Sequence, residues 1–288
     1  MTDFLEQVIA ERRADVARAK DRVPEEALLA RARERVAARL PRSYERGDAR
    51  GFGDRFTSAL RSLHGRLGVI GEVKRRSPSL GTLNADADPV VLALAYEAAG
   101  ATAVSVLTEP RHWGGSLEDL VAVSEAVRIP VLCKDVIVDE YQIVQALVAG
   151  AHAVLLIAEA LSDADLHRFI ARATSLGVGV LVEAHEPVAF GRAVAAGSLV
   201  VGVNARNLRR PSEIDVGRAR QLHTFAREGQ VLVAESGIDS VEDARLLPAR
   251  VDAVLVGTAL MRATDPTALI HGIAGIHRAG SRTITVRP

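Results

Sequence analysis

From about residue 67 onward one pattern recurs: a short run rich in valine, isoleucine and leucine, a helix-start signal, an amphipathic stretch, then another such run. The runs fall at residues 67–73, 103–107, 130–133, 153–157, 179–182, 199–203, 231–234 and 253–256, eight in all. Alternation of this kind reads as β-strands joined by helices. Asp88-Pro89 and Asp265-Pro266 each place a capping carboxylate before a proline at the first helical position, and Ser116, Ser162 and Ser240 each stand three residues before an acid. Gly100, Gly150, Gly177 and Gly197 end the helices.

A longer period lies over this one. Apolar runs closing on Lys74, Lys134, Glu183 and Glu235 recur about every 50 to 60 residues, and each is followed by a helix and a second strand. Four such repeats predict an α/β fold of eight βα units, a closed (β/α)8 TIM barrel rather than an open doubly wound sheet. Side chains of alternate strands share a layer in such a barrel. Lys74, Lys134, Glu183 and Glu235 should therefore meet at its carboxyl-end mouth. The chain reads as a single domain, 1–288, with the barrel over 67–278.

Residues 1–66 read differently, as a helical amino-terminal extension with two arginine-rich helices, near 3–20 and 24–40, and a glycine-containing link at 47–53. Phe4, Leu5, Val8, Ile9 and Val16 form a helical stripe that must cover something, either the barrel near its mouth or a second copy of the chain. Residues 279–288 form a short polar tail without assigned function.

Acidic and basic residues balance at 36 each, so nothing suggests an electrostatic grip on nucleic acid or an anionic membrane, and a small-molecule partner is favoured. Only three of the basic residues are lysine, Lys20, Lys74 and Lys134, and two of these close strand-like runs. Lysine can release its proton where arginine does not, so Lys74 and Lys134 read as titratable amines of one site; an ion pair at a strand end is the structural alternative. The single cysteine, Cys133, cannot form an internal disulfide, and the amino terminus has neither a secretory pattern nor a membrane span, which predicts a cytoplasmic protein.

The candidate site grows from these lysines. Glu72 and Lys74 lie two residues apart on one face of a strand and can share a ligand, and Pro78 between Ser77 and Ser79 fixes a loop able to aim hydroxyls at an anion. Ser236-Gly237 and Gly257-Thr258 follow the seventh and eighth strands, where barrels of this kind commonly bind phosphate through backbone N–H groups. Asn204 and Arg206 follow the sixth strand and offer an amide and a planar guanidinium fork. Trp113, the only tryptophan, stands in the loop after the second strand, either as an aromatic wall or as packing. Glu159 sits among alanines at a helix approach and is left outside the site. No histidine pair has metal-ligand spacing and no glycine-rich dinucleotide fingerprint follows a strand, so neither a metal nor another cofactor is implied. A nucleophilic serine at Ser236 lacks a placed histidine.

Taken in order, these segments resemble the indole-3-glycerol phosphate synthases, barrel enzymes of tryptophan biosynthesis, over nearly the whole chain. The resemblance rests on Asp3-Phe4-Leu5 with Arg12-Arg13, the Glu72-to-Ser79 run, Leu107-Thr108-Glu109 leading to Gly114-Gly115-Ser116, Lys134-Asp135, Leu181-Val182-Glu183, Asn204-to-Leu208 and Glu235-Ser236-Gly237. It implies a cofactor-independent carboxy-lyase that closes 1-(2-carboxyphenylamino)-1-deoxyribulose 5-phosphate to an indole with loss of carbon dioxide and water. By the same resemblance Lys134 is the general acid, Lys74 the second essential lysine and Glu183 the general base. Glu72, Asn204, Glu235 and Ser236 form the supporting polar ring. Ser77 and Arg206 lie near the substrate carboxylate and its loop, and Gly237, Gly257 and Thr258 lie against the phosphate. A monomer or weak homodimer is expected. Two positions depart from the family pattern: Val136 stands where phenylalanine is usual after Lys-Asp, and Trp113 matches a loop position commonly held by phenylalanine. Val136 keeps open a paralogue acting on another phosphosugar adduct; a catalytically silent phosphosugar-binding protein is the reading from outside enzymes. Crowding of Lys74 near Lys134 should depress one amine's pKa, while Glu72, Glu183 and Glu235 raise it.

Overall fold

The computed structural model describes residues 3–39, 52–61, 63 and 65–278, and its centre is a closed barrel of eight parallel strands. These are β1 (Gly68–Val73), β2 (Ala103–Leu107), β3 (Val131–Lys134), β4 (Ala153–Ile157), β5 (Gly179–Ala184), β6 (Val200–Asn204), β7 (Val231–Glu235) and β8 (Ala253–Val256). Neighbours follow chain order, and β8 pairs with β1 to close the ring.

The period of two along each strand decides what fills the ring. Ile70, Leu132, Leu181 and Val233, one from each odd strand, belong to the cluster inside the barrel, whereas Val69, Cys133, Val182 and Ala234 belong to the cluster under the helices. Two residues past each inner apolar residue comes an ionisable one: Glu72, Lys134, Glu183 and Glu235. An apolar layer therefore supports a charged layer at the carboxyl end. Lys74 lies one step above it, just beyond β1.

Several strands run one or two residues further than the apolar runs predict. β3 reaches Lys134, β5 reaches Ala184, β6 reaches Asn204 and β7 reaches Glu235. The ladder is a backbone property, and the pairs Leu107 with Lys134, Ile157 with Glu183 and Asn204 with Glu235 continue it where the side chains turn polar. The helix caps follow the sequence: Asp88 accepts from the Val90 and Val91 N–H groups, Ser116 from Asp119, Ser162 from Asp165 and Ser240 from Asp243.

The extension contributes three described helices, α1 (Phe4–Arg22), α2 (Glu25–Arg39) and α3 (Phe52–Arg61). The stripe on α1 packs on the barrel: Leu5, Val8 and Ile9 join the inner cluster with Val136 and Ile157. Arg12 and Lys20 fasten the helix to Asp135 at 2.6 Å and Asp139 at 2.7 Å. The predicted link at 47–53 falls largely outside the described residues, but its end is corrected, since α3 begins at Phe52. Phe56 and Leu60, both buried, enter the inner cluster with Val200, Val231 and Ala253, near the strand starts. The residues 279–288 read as a tail lie outside the described residues. Among the described residues no helix is long and apolar enough to cross a membrane.

Candidate active site

At the carboxyl end of the strands a cavity opens whose wall includes Glu72, Lys74, Lys134, Glu183, Asn204 and Arg206. Ser77, Trp113, Val136, Ser236, Gly237, Gly257 and Thr258 line it as well, so the loops after strands one, two, three, six, seven and eight converge on one hollow. Glu235 does not reach that wall. It stands behind Lys134, 1% exposed, and acts on the ammonium rather than on the hollow.

The charged layer is wired as one network. Glu72 spans both amines, with one carboxylate oxygen 2.7 Å from Lys74 Nζ and the other 3.1 Å from Lys134 Nζ. Lys134 Nζ also donates to Glu235 at 3.0 Å and lies 3.9 Å from Glu183. Asn204 Nδ2 donates to Glu183 at 3.3 Å, and its Oδ1 accepts the Arg206 N–H at 2.9 Å. Arg206 reaches across the mouth to Ser79 Oγ at 2.8 Å, which in turn lies 3.2 Å from Ser77 Oγ. Burying these charges is tolerated because Glu72 pairs with both lysines and Glu235 with Lys134.

Different surroundings separate the ionisable groups. Burial alone would raise the Glu72 pKa, but Lys134 and Lys74 outweigh it and hold the carboxyl down at about 2. Burial lowers the pKa of Lys74, and Glu72 offsets this only in part. Lys134 is buried too, yet Glu72, Glu235 and Glu183 together raise its pKa above the ordinary lysine value. For Glu183, burial and then the neighbouring Glu235 push the pKa well above the ordinary glutamate value, with Lys134 too distant to cancel them. The glutamates raise the pKa of Lys134 as expected from sequence, but the depression of Lys74 comes chiefly from burial, with the neighbouring Lys134 a lesser contribution.

Two glycines make room for this layer. A β-carbon on Gly202 would lie 2.2 Å from Glu235 Oε1, and one on Gly257 would lie 2.2 Å from Glu72 Oε1. Gly257 thus shapes the charged layer besides bordering the cavity. Replacing Gly202 with alanine is expected to displace the Glu235 carboxylate and cost about 1–3 kcal/mol of stability through overpacking. Denaturant titration together with kcat would check this, and unchanged values of both would contradict the packing argument.

Of the apolar wall, the sequence pointed to Trp113, Val136 and the α1 stripe, and the rest was not apparent from it. Leu155, Ile157 and Leu255 line the interior side, Phe4 and Leu5 come from α1, and Leu80 and Ile214 stand at the lip, about half exposed. Trp113 meets Phe4 edge to face at 6.0 Å. Its backbone is pinned by buried Glu109, whose carboxylate accepts the N–H groups of Arg111, His112 and Trp113 at 3.0, 2.6 and 3.2 Å. Glu159, set aside from the site, instead caps the turn after β5 by accepting the N–H groups of His185 at 2.7 Å and Glu186 at 2.9 Å.

The family model for indole-3-glycerol phosphate synthase matches residues 5–273. An indole-3-glycerol phosphate synthase of Parafrankia sp. (strain EAN1pec) is 48% identical over 217 residues, covering 74% of this chain and 81% of the relative. That of Carboxydothermus hydrogenoformans is 40% identical over 265 residues, covering 91% and 96%. Among solved structures, a ligand-free tryptophan synthase from M. tuberculosis superposes with a TM-score of 0.55 at 16% identity, over 76% of this chain and 97% of that one, a likeness of fold alone.

Proposed function

The chain belongs to the indole-3-glycerol phosphate synthase family of tryptophan-pathway carboxy-lyases, and we propose that its charged layer carries out the family's decarboxylating, dehydrating ring closure with the roles given below. One observation supports this reading above the others: two ammonium groups bridged by one carboxylate face the same hollow as a carboxyl group of raised pKa. Binding a phosphosugar would not require so divergent a set of proton affinities.

Lys134 is the general acid. Attack of the anthranilate ring carbon on the sugar ketone moves negative charge onto the carbonyl oxygen, and the ammonium meets that charge and protonates it as it becomes alkoxide-like. Loss of carbon dioxide restores the electron pair to the ring system. Lys74, with its lowered pKa, is suited to protonate the departing hydroxyl, while Glu183 takes up the proton released as the indole forms. Glu72 holds both ammonium groups, Glu235 backs Lys134, Asn204 orients Glu183, and Ser236 completes the polar ring.

Ser77 and Arg206 serve the carboxylate side, and Gly237, Gly257 and Thr258 the phosphate. Gly237 has a φ of 68° and Ser236, without glycine's freedom, has 67°, so two successive left-handed residues bend the chain back along the cavity wall. Trp113 supplies the aromatic surface and Val136 leaves space beside it for the anthranilate ring. All these groups come from one chain, which supports action as a monomer or weak homodimer, and the family's biosynthetic role supports a cytoplasmic location.

Mixing the chain with 1-(2-carboxyphenylamino)-1-deoxyribulose 5-phosphate and following indole fluorescence tests the reading. Tight binding of that adduct without fluorescence gain would refute it. Trp113→Ala is expected to raise KM about tenfold, from lost ring packing and burial, with kcat within about twofold. A fall confined to kcat would remove Trp113 from the binding wall.

A further inference from the structure

His185 lies two residues beyond Glu183 and is 6% exposed, yet it is absent from the cavity wall. Its Nδ1 is 2.9 Å from the Asn204 carbonyl oxygen. A carbonyl can only accept, so Nδ1 carries the hydrogen and Nε2 is left to accept from Arg218 Nη2 at 3.3 Å. The backbone N–H of His185 donates to Glu159, which fixes the turn from which the ring projects.

These contacts tie two strand ends together. Glu183 belongs to β5 and Asn204 to β6, and the Asn204 side-chain amide donates to Glu183 while its main-chain carbonyl receives His185. Arg218 also lies 3.4 Å from Asp215, whose N–H donates to the Ala205 carbonyl at 2.8 Å. The long loop after β6 is thereby anchored to the same ring.

The geometry points to His185 as a positioning residue that sets the aim of Glu183 by holding Asn204 through its main chain. This rests on the reading of Glu183 as the base. No atom of His185 needs to meet the substrate. Its loss loosens the angle at which Asn204 presents its amide, so the proton-accepting oxygen is aimed less often while the rest of the hollow keeps its shape.

Asparagine carries an amide nitrogen at the same bond distance from Cα as Nδ1, whereas glutamine places one at the position of Nε2. We expect His185→Ala and His185→Gln to lower kcat about tenfold with KM within about twofold, and His185→Asn to keep kcat within about twofold of the parent. Recovery in His185→Asn while its melting temperature stays as low as that of His185→Ala would separate aim from stability. An unaffected alanine variant, or equal losses in the asparagine and glutamine variants, would overturn the inference. Glu183→Gln measured alongside keeps the two claims apart: full activity there refutes Glu183 as the base, whereas an inactive Glu183→Gln beside a fully active His185→Ala refutes only the role of His185.

Discussion

Lys134→Met is expected to lower kcat about 10³-fold, and Lys134→Arg to fail by more than about 10²-fold although it keeps the positive charge. The ammonium lies against Glu72 at 3.1 Å, Glu235 at 3.0 Å and Glu183 at 3.9 Å. Three carboxylates around one amine keep it protonated in the resting site, so its proton moves only when an oxygen of comparable basicity develops beside it. A guanidinium can screen that oxygen but does not release a proton to it, and its planar fork does not fit a position shaped for a single nitrogen. The methionine variant also leaves Glu235 and Glu183 without the ammonium they face and Glu72 with Lys74 alone, a loss of about 3–5 kcal/mol by the usual cost of breaking a buried pair. Denaturant unfolding should therefore separate the variants, with arginine the more stable and both nearly inactive. Steady-state kinetics by indole fluorescence decides the role: near-parental turnover in Lys134→Arg would mean that charge alone suffices and that the proton comes from elsewhere.

That network explains which parts of the molecule could be read from the chain. The barrel was legible because period-two runs, capped helix starts and closing glycines agree with one another at each repeat. The charged layer was legible for Lys134, Glu183 and Glu235; the repeat pointed to Lys74 as the fourth member, but Glu72, two residues past inward-facing Ile70, holds that place and Lys74 lies one step above it. Helix α3 was hidden because Gly47, Gly51 and Gly53 suggest a loop, while Phe56 and Leu60 acquire meaning only once a barrel end exists for them to fill. The bridging of two lysines by Glu72 was hidden because it depends on how far side chains reach across the ring, and Glu235 could be assigned to the layer without it being apparent that Lys134 covers it. Leu155 and Leu255 carry no chemical signal in sequence, and a lone histidine such as His185 has no partner until strands β5 and β6 are neighbours.

Glu183→Gln should remove about 10²- to 10⁴-fold of turnover without destabilising the fold, because activity and stability place opposite demands on this carboxyl. To accept a proton it must be ionised, and burial beside Glu235 lifts its pKa well above the ordinary value of 4.5. The parental kcat/KM is therefore expected to rise with pH through that elevated value. In the glutamine variant the residual rate should lack this acid limb. Stability runs the other way. A carboxyl whose pKa is raised on folding binds its proton more tightly in the native state, so its stabilising contribution is complete below the unfolded value and is lost as pH rises through the folded one. Above that elevated value the parent consequently bears an ionised, poorly compensated carboxylate, whereas glutamine is neutral and can still face Asn204. Thermal unfolding followed across a pH series should show the variant gaining on the parent as the pH rises through that elevated value. An acid limb that survives in Glu183→Gln would assign the titration, and the proton acceptor, to another group of the layer.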